Sequence, residues 1–258
     1  MAGPRRVQDH PADVVVPPAL LGRRESRSTR QGLLPVTGSG QDPTPPASHD
    51  AACLCVFARA PLAGGVKRRL AASIGDREAL AAHVRLVGEA IDRLAGSASW
   101  RTEFWLAGPE PDALAAWPQC GNLVRRAQQG HDLGARMHHA LTATLHSAGR
   151  ALVVGIDCPE IDADYVAAAF DALEDADVVL GPAEDGGYGL VGARRRVRDR
   201  LAPLFSDMPW GTDRVLGETL ARCRRADLAV ARLPLIWDVD DLEDWRRYLA
   251  WVAQRGAL

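Results

Sequence analysis

From residue 53 onward the chain repeats one arrangement: a short apolar run with no polar face, a break marked by glycine or proline, then an amphipathic stretch of helical period. CLCVFA (53–58), ALVVGI (151–156) and DVVLGPA (177–183) are the clearest of these runs. A strand that is apolar on both sides must be covered on both sides, and crossover helices between successive strands supply that cover. The pattern therefore predicts a mostly parallel sheet with helices on its two faces. Further strands read at RTEFWLAG (101–108), NLVRR (122–126), GGYGLVGA (186–193) and LAVARLP (228–234).

The helical stretches carry the matching period. Residues 76–95 put Leu80, Val84, Val87, Ile91 and Leu94 on one face, with Asp76 expected as cap and Gly96 as stop. Residues 131–147 do the same with Leu133, Met137, Ala140, Leu141 and Leu145. A short helix is expected at ALAAW before Pro118, and others at DADYVAAAFDALE, TDRVLGETLARC and DLEDWRRYLAWVAQ. No internal repeat and no interior linker interrupts residues 51–258, which read as a single domain.

Residues 1–50 follow different rules. RRESRSTR and TGSGQDPTPPASHD are rich in Pro, Arg, Ser, Gly and Asp, and only VVV at 14–16 is apolar. Such a stretch buries too little surface to offset the entropy of ordering it, so a disordered N-terminal extension is expected. Across the whole chain 33 acidic residues nearly balance 31 basic ones, which gives no general field for nucleic acid or an anionic membrane. No apolar run approaches the ~18 residues a membrane span needs, and no secretory leader is evident. The expectation is a cytoplasmic protein acting on small molecules, without nucleic acid or membrane partners; a homodimer is admitted, and the extension has no assigned partner. Cys53 and Cys55 share one face of a strand, which is not the spacing of a redox or zinc CxxC pair, so reduced and buried thiols are expected.

Ligands of open α/β sheets occupy the crevice beyond the carboxyl ends of the strands. Asp157 stands there, directly after ALVVGI, and is read either as an oxygen ligand for a hard cation or as the cap of the following turn or helix, with Asp162 as rival cap. Asp238 and Asp240 share a face while Val239 points away, and Asp241 is placed to cap the last helix. The loop APLAGGVKRRLA (60–71) joins flexible glycines to Lys67, Arg68 and Arg69, either as a phosphate site or as a solvated basic helix start. AEDGGYGL (183–190) suggests tight backbone beside a polar pocket, with Tyr188 offering a ring face and a hydroxyl, or else a plain hairpin. In WGTD (210–213), Thr212 is a candidate N-cap and Trp210 either closes a pocket or packs in the core. His131, His138 and His139 do not make a metal set, since the last two point apart on a helix.

Taken in order, FARAPLAGGVKRRLA, QGHDLGARM, GIDCP, PAEDGGYGLVG, WGTDRV and DVDDLEDW resemble the GT-A-like, glycosyltransferase-like family known by its domain of unknown function, DUF2064, and as radical-SAM/selenodomain-associated transferases. The resemblance covers everything after residue 50. It implies a three-layer α/β/α sandwich of the nucleotide-diphospho-sugar transferase type, distantly similar to the nucleotidyltransferases of molybdenum-cofactor and phospholactate chemistry. By position, Asp157 and Asp240 resemble the ligands of Mg²⁺ or Mn²⁺. Asp157, Lys67 and Arg69 take the catalytic, phosphate-facing places, and the resemblance puts Ala58, Pro61, Gly64, Gly65, Arg68, Gln129, Gly130, Asp132 and Gly134 around the nucleotide. Asp185, Gly186, Gly187, Tyr188, Trp210, Gly211 and Thr212 fall on the acceptor side. Two departures stand out: the family's KTRL is KRRL here, with Arg68 for Thr, and its DVDTPEDL is DVDDLEDW. The implied activity is metal-dependent transfer from a nucleotide-activated donor, in first place glycosyl transfer from a nucleotide sugar to a small acceptor. The alternatives are nucleotidyl transfer from an NTP with release of pyrophosphate, and a catalytically degenerate nucleotide-binding protein.

Overall fold

The computed structural model describes residues 14–15, 51–109, 113 and 115–255. Among the described residues eight strands form one sheet: β1 (Val14–Val15), β2 (Ala52–Arg59), β3 (Arg101–Ala107), β4 (Val124–Ala127), β5 (Arg150–Gly155), β6 (Val178–Pro182), β7 (Tyr188–Arg194) and β8 (Val230–Arg232). Their spatial order is β1-β8-β6-β7-β5-β2-β3-β4. Every pairing is parallel except those of β7, which runs antiparallel to both β5 and β6. The start of β7 therefore lies at the same edge as the ends of the parallel strands, which brings Tyr188 to the end of the sheet where ligands sit.

The central strand β2 shows why both faces are covered. Leu54, Val56 and Ala58 enter one core with Leu86 and Val87 of α2 (Asp76–Leu94), Tyr165 and Val166 of α4 (Ala163–Ala172), and Tyr248 of the last helix. Cys55 and Phe57, one residue out of phase, enter a second core with Met137 and Leu141 of α3 (Leu133–Leu145) and Leu220 of α6 (Val215–Arg225). The alternation along a strand thus builds two cores from one apolar run. α1 (Arg68–Ile74) follows the basic loop, α5 (Ala202–Phe205) is a single turn, and α7 (Leu242–Arg255) closes the chain.

All seven strands expected after residue 50 form, with ends shifted by a few residues. Val14–Val15, inside the expected extension, pairs with Ala231–Arg232 of β8 as an edge strand; the rest of that stretch lies outside the described residues. Asp76 falls in the first turn of α2 behind Gly75 rather than at the cap. Thr212 is not an N-cap: α6 begins at Val215 behind Arg214, and the Thr212 hydroxyl instead donates to the Pro209 carbonyl at 2.8 Å. Asp162 does cap, accepting from the Tyr165 amide at 2.9 Å, which frees Asp157 from that duty. Among the described residues no helix is long and apolar enough to cross a membrane.

All five cysteines are buried and none is in a disulfide. Cys53, Cys55 and the buried Glu103 place their sulfur and oxygen atoms within 4.8 Å of one another. The Glu103 oxygens are already engaged by Arg101 at 2.9 Å, Trp105 Nε1 at 3.2 Å and Arg126 at 3.5 Å. That neutralises a carboxylate which would be costly to leave unpaired in the interior.

Candidate active site

The loops after β2 and β5, the start of β7 and the segment after Trp237 surround a cavity of about 510 Å³. Its chemistry begins at Lys67. This residue has φ 47° and ψ 46°, left-handed values that cost a non-glycine residue about 1–3 kcal/mol. Its side chain is only 4% exposed. Its ammonium lies 2.6 Å from Asp157 Oδ1 and donates to the Val239 carbonyl. The Val239 amide in turn donates to the Asp157 carbonyl at 2.9 Å, so the loop after β5 and the loop before α7 are one unit.

Arg69 repeats the arrangement at the cavity mouth, its guanidinium 2.8 Å from Asp240 Oδ2. Asp157 and Asp240 remain 47% and 42% exposed, open to a ligand on their free sides. Asp238, on the same segment, is pushed up to about 6 by burial and then by the negative charges of Asp185, Asp157, Asp240 and Asp244. Burial and the carboxylates beside it thus both oppose a charge on Asp238 itself. Asp241 caps α7, accepting from the Glu243 and Asp244 amides at 2.8 and 3.1 Å, so the DVDD run divides between site and helix.

The carboxylates fit a hard divalent cation. Asp157 Oδ1 and the Val239 carbonyl already cradle a positive charge between oxygen atoms, which is the donor chemistry that Mg²⁺ and Mn²⁺ prefer.

Of the residues expected around the nucleotide, Ala58, Gly65 and Arg68 line the cavity with Lys67 and Arg69. Pro61 and Gly64 belong to the turn leading into it, and Gln129 stands one residue beyond the cavity wall. Gly130, Asp132 and Gly134 build the start of α3 instead. A Cβ on Gly130 would stand 2.7 Å from Ala135, Asp132 caps α3 by accepting from the Ala135 amide at 2.7 Å, and Gly134 is pressed against the Phe205 carbonyl and the Trp210 ring. On the acceptor side Asp185 and Tyr188 line the cavity. Gly186 and Gly187 shape the loop: Gly186 has φ 83° against the Asp213 backbone, and the Gly187 amide donates to Asp185 Oδ1 at 2.8 Å. Trp210 packs edge-on to Tyr188 with ring centroids 6.3 Å apart, while Gly211 and Thr212 form the turn beside it. Tyr188 offers its ring alone. Its hydroxyl is buried against Thr219 of α6, and burial pushes the phenol well up.

Four further charged or hydrogen-bonding residues of the wall were not among those expected: Gln128, His83, Arg59 and Arg136. Gln128 donates from Nε2 to the carbonyls of Ala58 at 3.1 Å and Trp105 at 2.9 Å, bridging β2 and β3 at the cavity floor. His83 of α2 donates from Nε2 to the Arg59 carbonyl at 3.0 Å, and burial lowers its pKa, so it stays neutral near pH 7. Arg59, Arg136 and Asp238 complete the charged lining. The available signal was positional: Arg59 ends β2, and Arg136 lies one turn into α3, next to Met137.

The family model described as an uncharacterised protein conserved in bacteria, DUF2064, matches residues 90–212. The phosphoenolpyruvate guanylyltransferase of Chloroflexus aggregans (strain MD-66 / DSM 9485) is 29% identical over 163 residues, spanning 63% of this chain and 77% of that protein. A crystal structure from Desulfovibrio desulfuricans G20, assigned only provisionally as a nucleotide-diphospho-sugar transferase, is 32% identical with a TM-score of 0.66, covering 74% of this chain and 83% of that one. CMP:2-keto-3-deoxy-manno-octonic acid synthetase complexed with CTP shares the fold, with a TM-score of 0.53 at 16% identity over 80% of this chain and all (100%) of that one. The motif order, the nucleotide-diphospho-sugar transferase fold and these relatives agree: the chain belongs to the GT-A-like transferase family of the DUF2064 domain.

Proposed function

We propose that the protein is a nucleotidyltransferase that joins an NTP to a small phosphorylated acceptor and releases pyrophosphate. One observation carries this reading. A single loop delivers Lys67, Arg68 and Arg69 to the cavity beside Asp157 and Asp240, and Arg59 and Arg136 add positive charge to the wall. A triphosphate and a phosphorylated acceptor together bring more negative charge than the diphosphate of a nucleotide sugar, and they need this density of cations. Arg68, where the family's motif has Thr, adds to it. The guanylyltransferase named above supports the same choice and makes phosphoenolpyruvate the first acceptor to test.

In this reading an oxygen of the acceptor phosphate attacks the α-phosphorus of the NTP, the bond from that phosphorus to the bridging oxygen breaks, and pyrophosphate carries the electron pair away. The acceptor phosphate is ionised near neutral pH, so no general base is required. Asp157 and Asp240 would hold Mg²⁺ or Mn²⁺, which supplies charge neutralisation on the phosphates when bound. Lys67, Arg68 and Arg69 would bind and orient the donor phosphates. The Tyr188 ring and Asp185 would bound the acceptor side.

Pyrophosphate release is the deciding measurement, with GTP, CTP, ATP and UTP each offered with Mn²⁺ and phosphoenolpyruvate. The expected result is pyrophosphate formation from one NTP, together with thermal stabilisation by that NTP. Stabilisation by nucleotide sugars alone, with sugar transfer and no pyrophosphate, would instead establish glycosyl transfer. That second reading draws its support from the 32%-identical structure.

A further inference from the structure

The Lys67 side chain is 4% exposed in the cavity wall, and among the described residues its ammonium is held only by Asp157 Oδ1 and the Val239 carbonyl. Both oxygens belong to the two loops that the Val239–Asp157 backbone bond ties together. Resting on the metal-dependent reading above, we propose that Lys67 is a resident counter-cation of Asp157, which makes divalent-cation binding and nucleotide binding mutually dependent.

The electrostatics are simple. An ammonium 2.6 Å from Asp157 Oδ1 and a divalent cation on the same carboxylate repel strongly, so one must withdraw from the other. A withdrawn Lys67 loses its one carboxylate partner inside a partly enclosed site, which is unfavourable unless a new anion receives it. A donor phosphate is that anion. Without nucleotide, the cation must displace Lys67 at full cost; with nucleotide, Lys67 exchanges a carboxylate for a phosphate. The left-handed backbone at Lys67 holds the base of the side chain in place, so its tail is the part free to exchange. Arg69 and Asp240 do not impose the same dependence, because Arg69 is 72% exposed and is released into water.

Equilibrium binding of Mn²⁺, followed by the electron paramagnetic resonance of the free ion, tests the proposal with and without GTP and with and without CTP. For the wild-type chain one of these nucleotides is expected to tighten Mn²⁺ binding about tenfold or more, and Mn²⁺ must tighten that nucleotide by the same factor. Lys67→Met keeps the bulk and removes the charge. It is expected to bind Mn²⁺ alone about tenfold more tightly than wild type, and, once the Mn²⁺ held by nucleotide in protein-free controls is subtracted, the gain from nucleotide should shrink by about the same factor to what direct contact of the ion with the phosphates supplies. Lys67→Ala should behave in the same way if the Met variant folds poorly, and thermal melting checks both. Lys67→Arg, which keeps the charge, should retain the wild-type dependence. Equal Mn²⁺ affinity in wild type and in the neutral variants overturns the proposal while leaving the metal reading standing. Absence of Mn²⁺ binding in every form, with nucleotide or without, overturns both.

Discussion

The amide of Val239 donates to the carbonyl of Asp157 at 2.9 Å, across 82 positions of chain, and so fixes a carboxylate of one loop against the segment that carries Asp238 and Asp240. Val239 is fully buried, so this joint is part of the core as well as of the site. The backbone therefore sets the separation of the two loops whatever the side chains do.

Asp157→Asn should keep that backbone joint and lose the charge. Metal-dependent nucleotide binding is expected to fall at least tenfold in titration calorimetry. Folding stability should drop by about 1–3 kcal/mol: Asp157 itself is half exposed and screened, but the Lys67 ammonium it neutralises is buried and is left with the Val239 carbonyl. Unchanged nucleotide binding in the presence of Mn²⁺ would remove Asp157 from the metal site.

Asp238 carries a pH signature. Its carboxyl is raised to about 6 from an ordinary 3.8 by burial and neighbouring acids. Between those values the native state holds a proton that the unfolded chain has released, so this group lowers stability as pH rises through the window and leaves a full penalty above it. Asp238→Asn should therefore stabilise the metal-free protein at pH 7.5, by about 1 kcal/mol after allowance for the part of Asp238 still in water, and by much less at pH 4.5. Urea denaturation in a chelator at the two pH values reads the difference, and an equal gain at both would contradict it.

The sheet was legible because an apolar run such as CLCVFA leaves few other fates, and Asp157 was legible because it ends such a run. Lys67 and Arg69 stood out as cations beside glycines. What pattern alone did not carry was the neighbourhood across the sheet. Gln128 rather than Gln129 reaches the cavity because its amide bridges the ends of β2 and β3, a matter of strand register. Arg136 and His83 arrive on helices whose apolar faces conceal them in a periodicity reading. Gly130 and Gly134 look like nucleotide-loop glycines, yet the reason for glycine there is the closeness of Ala135, Phe205 and Trp210.

Gly134 makes that distinction measurable. A Cβ there would sit 2.5 Å from the Phe205 carbonyl oxygen and 2.6 Å from the Trp210 ring. Gly134→Ala must therefore push α3 away from α5 and should cost about 1–3 kcal/mol by thermal or chemical denaturation. A variant as stable as wild type, with nucleotide affinity lost, would return Gly134 to the nucleotide site.

Arg136 should show the opposite pattern. It stands on the cavity wall from α3, and its one hydrogen bond among those described is from Nε to the Gly130 carbonyl at 3.1 Å, near the surface. Removing this half-buried side chain and its single bond should cost no more than about 1 kcal/mol. A guanidinium facing an anionic ligand, however, contributes a charge-assisted hydrogen bond of roughly 1.5–3 kcal/mol, so Arg136→Ala should weaken nucleotide or acceptor binding by about tenfold or more. Arg136→Lys keeps the charge without the planar fork and should recover only part of the loss. Titration with donor and acceptor separately assigns the residue to one of them. Unaltered affinity for both would place the ligands entirely on the β2, β5 and β7 side of the cavity.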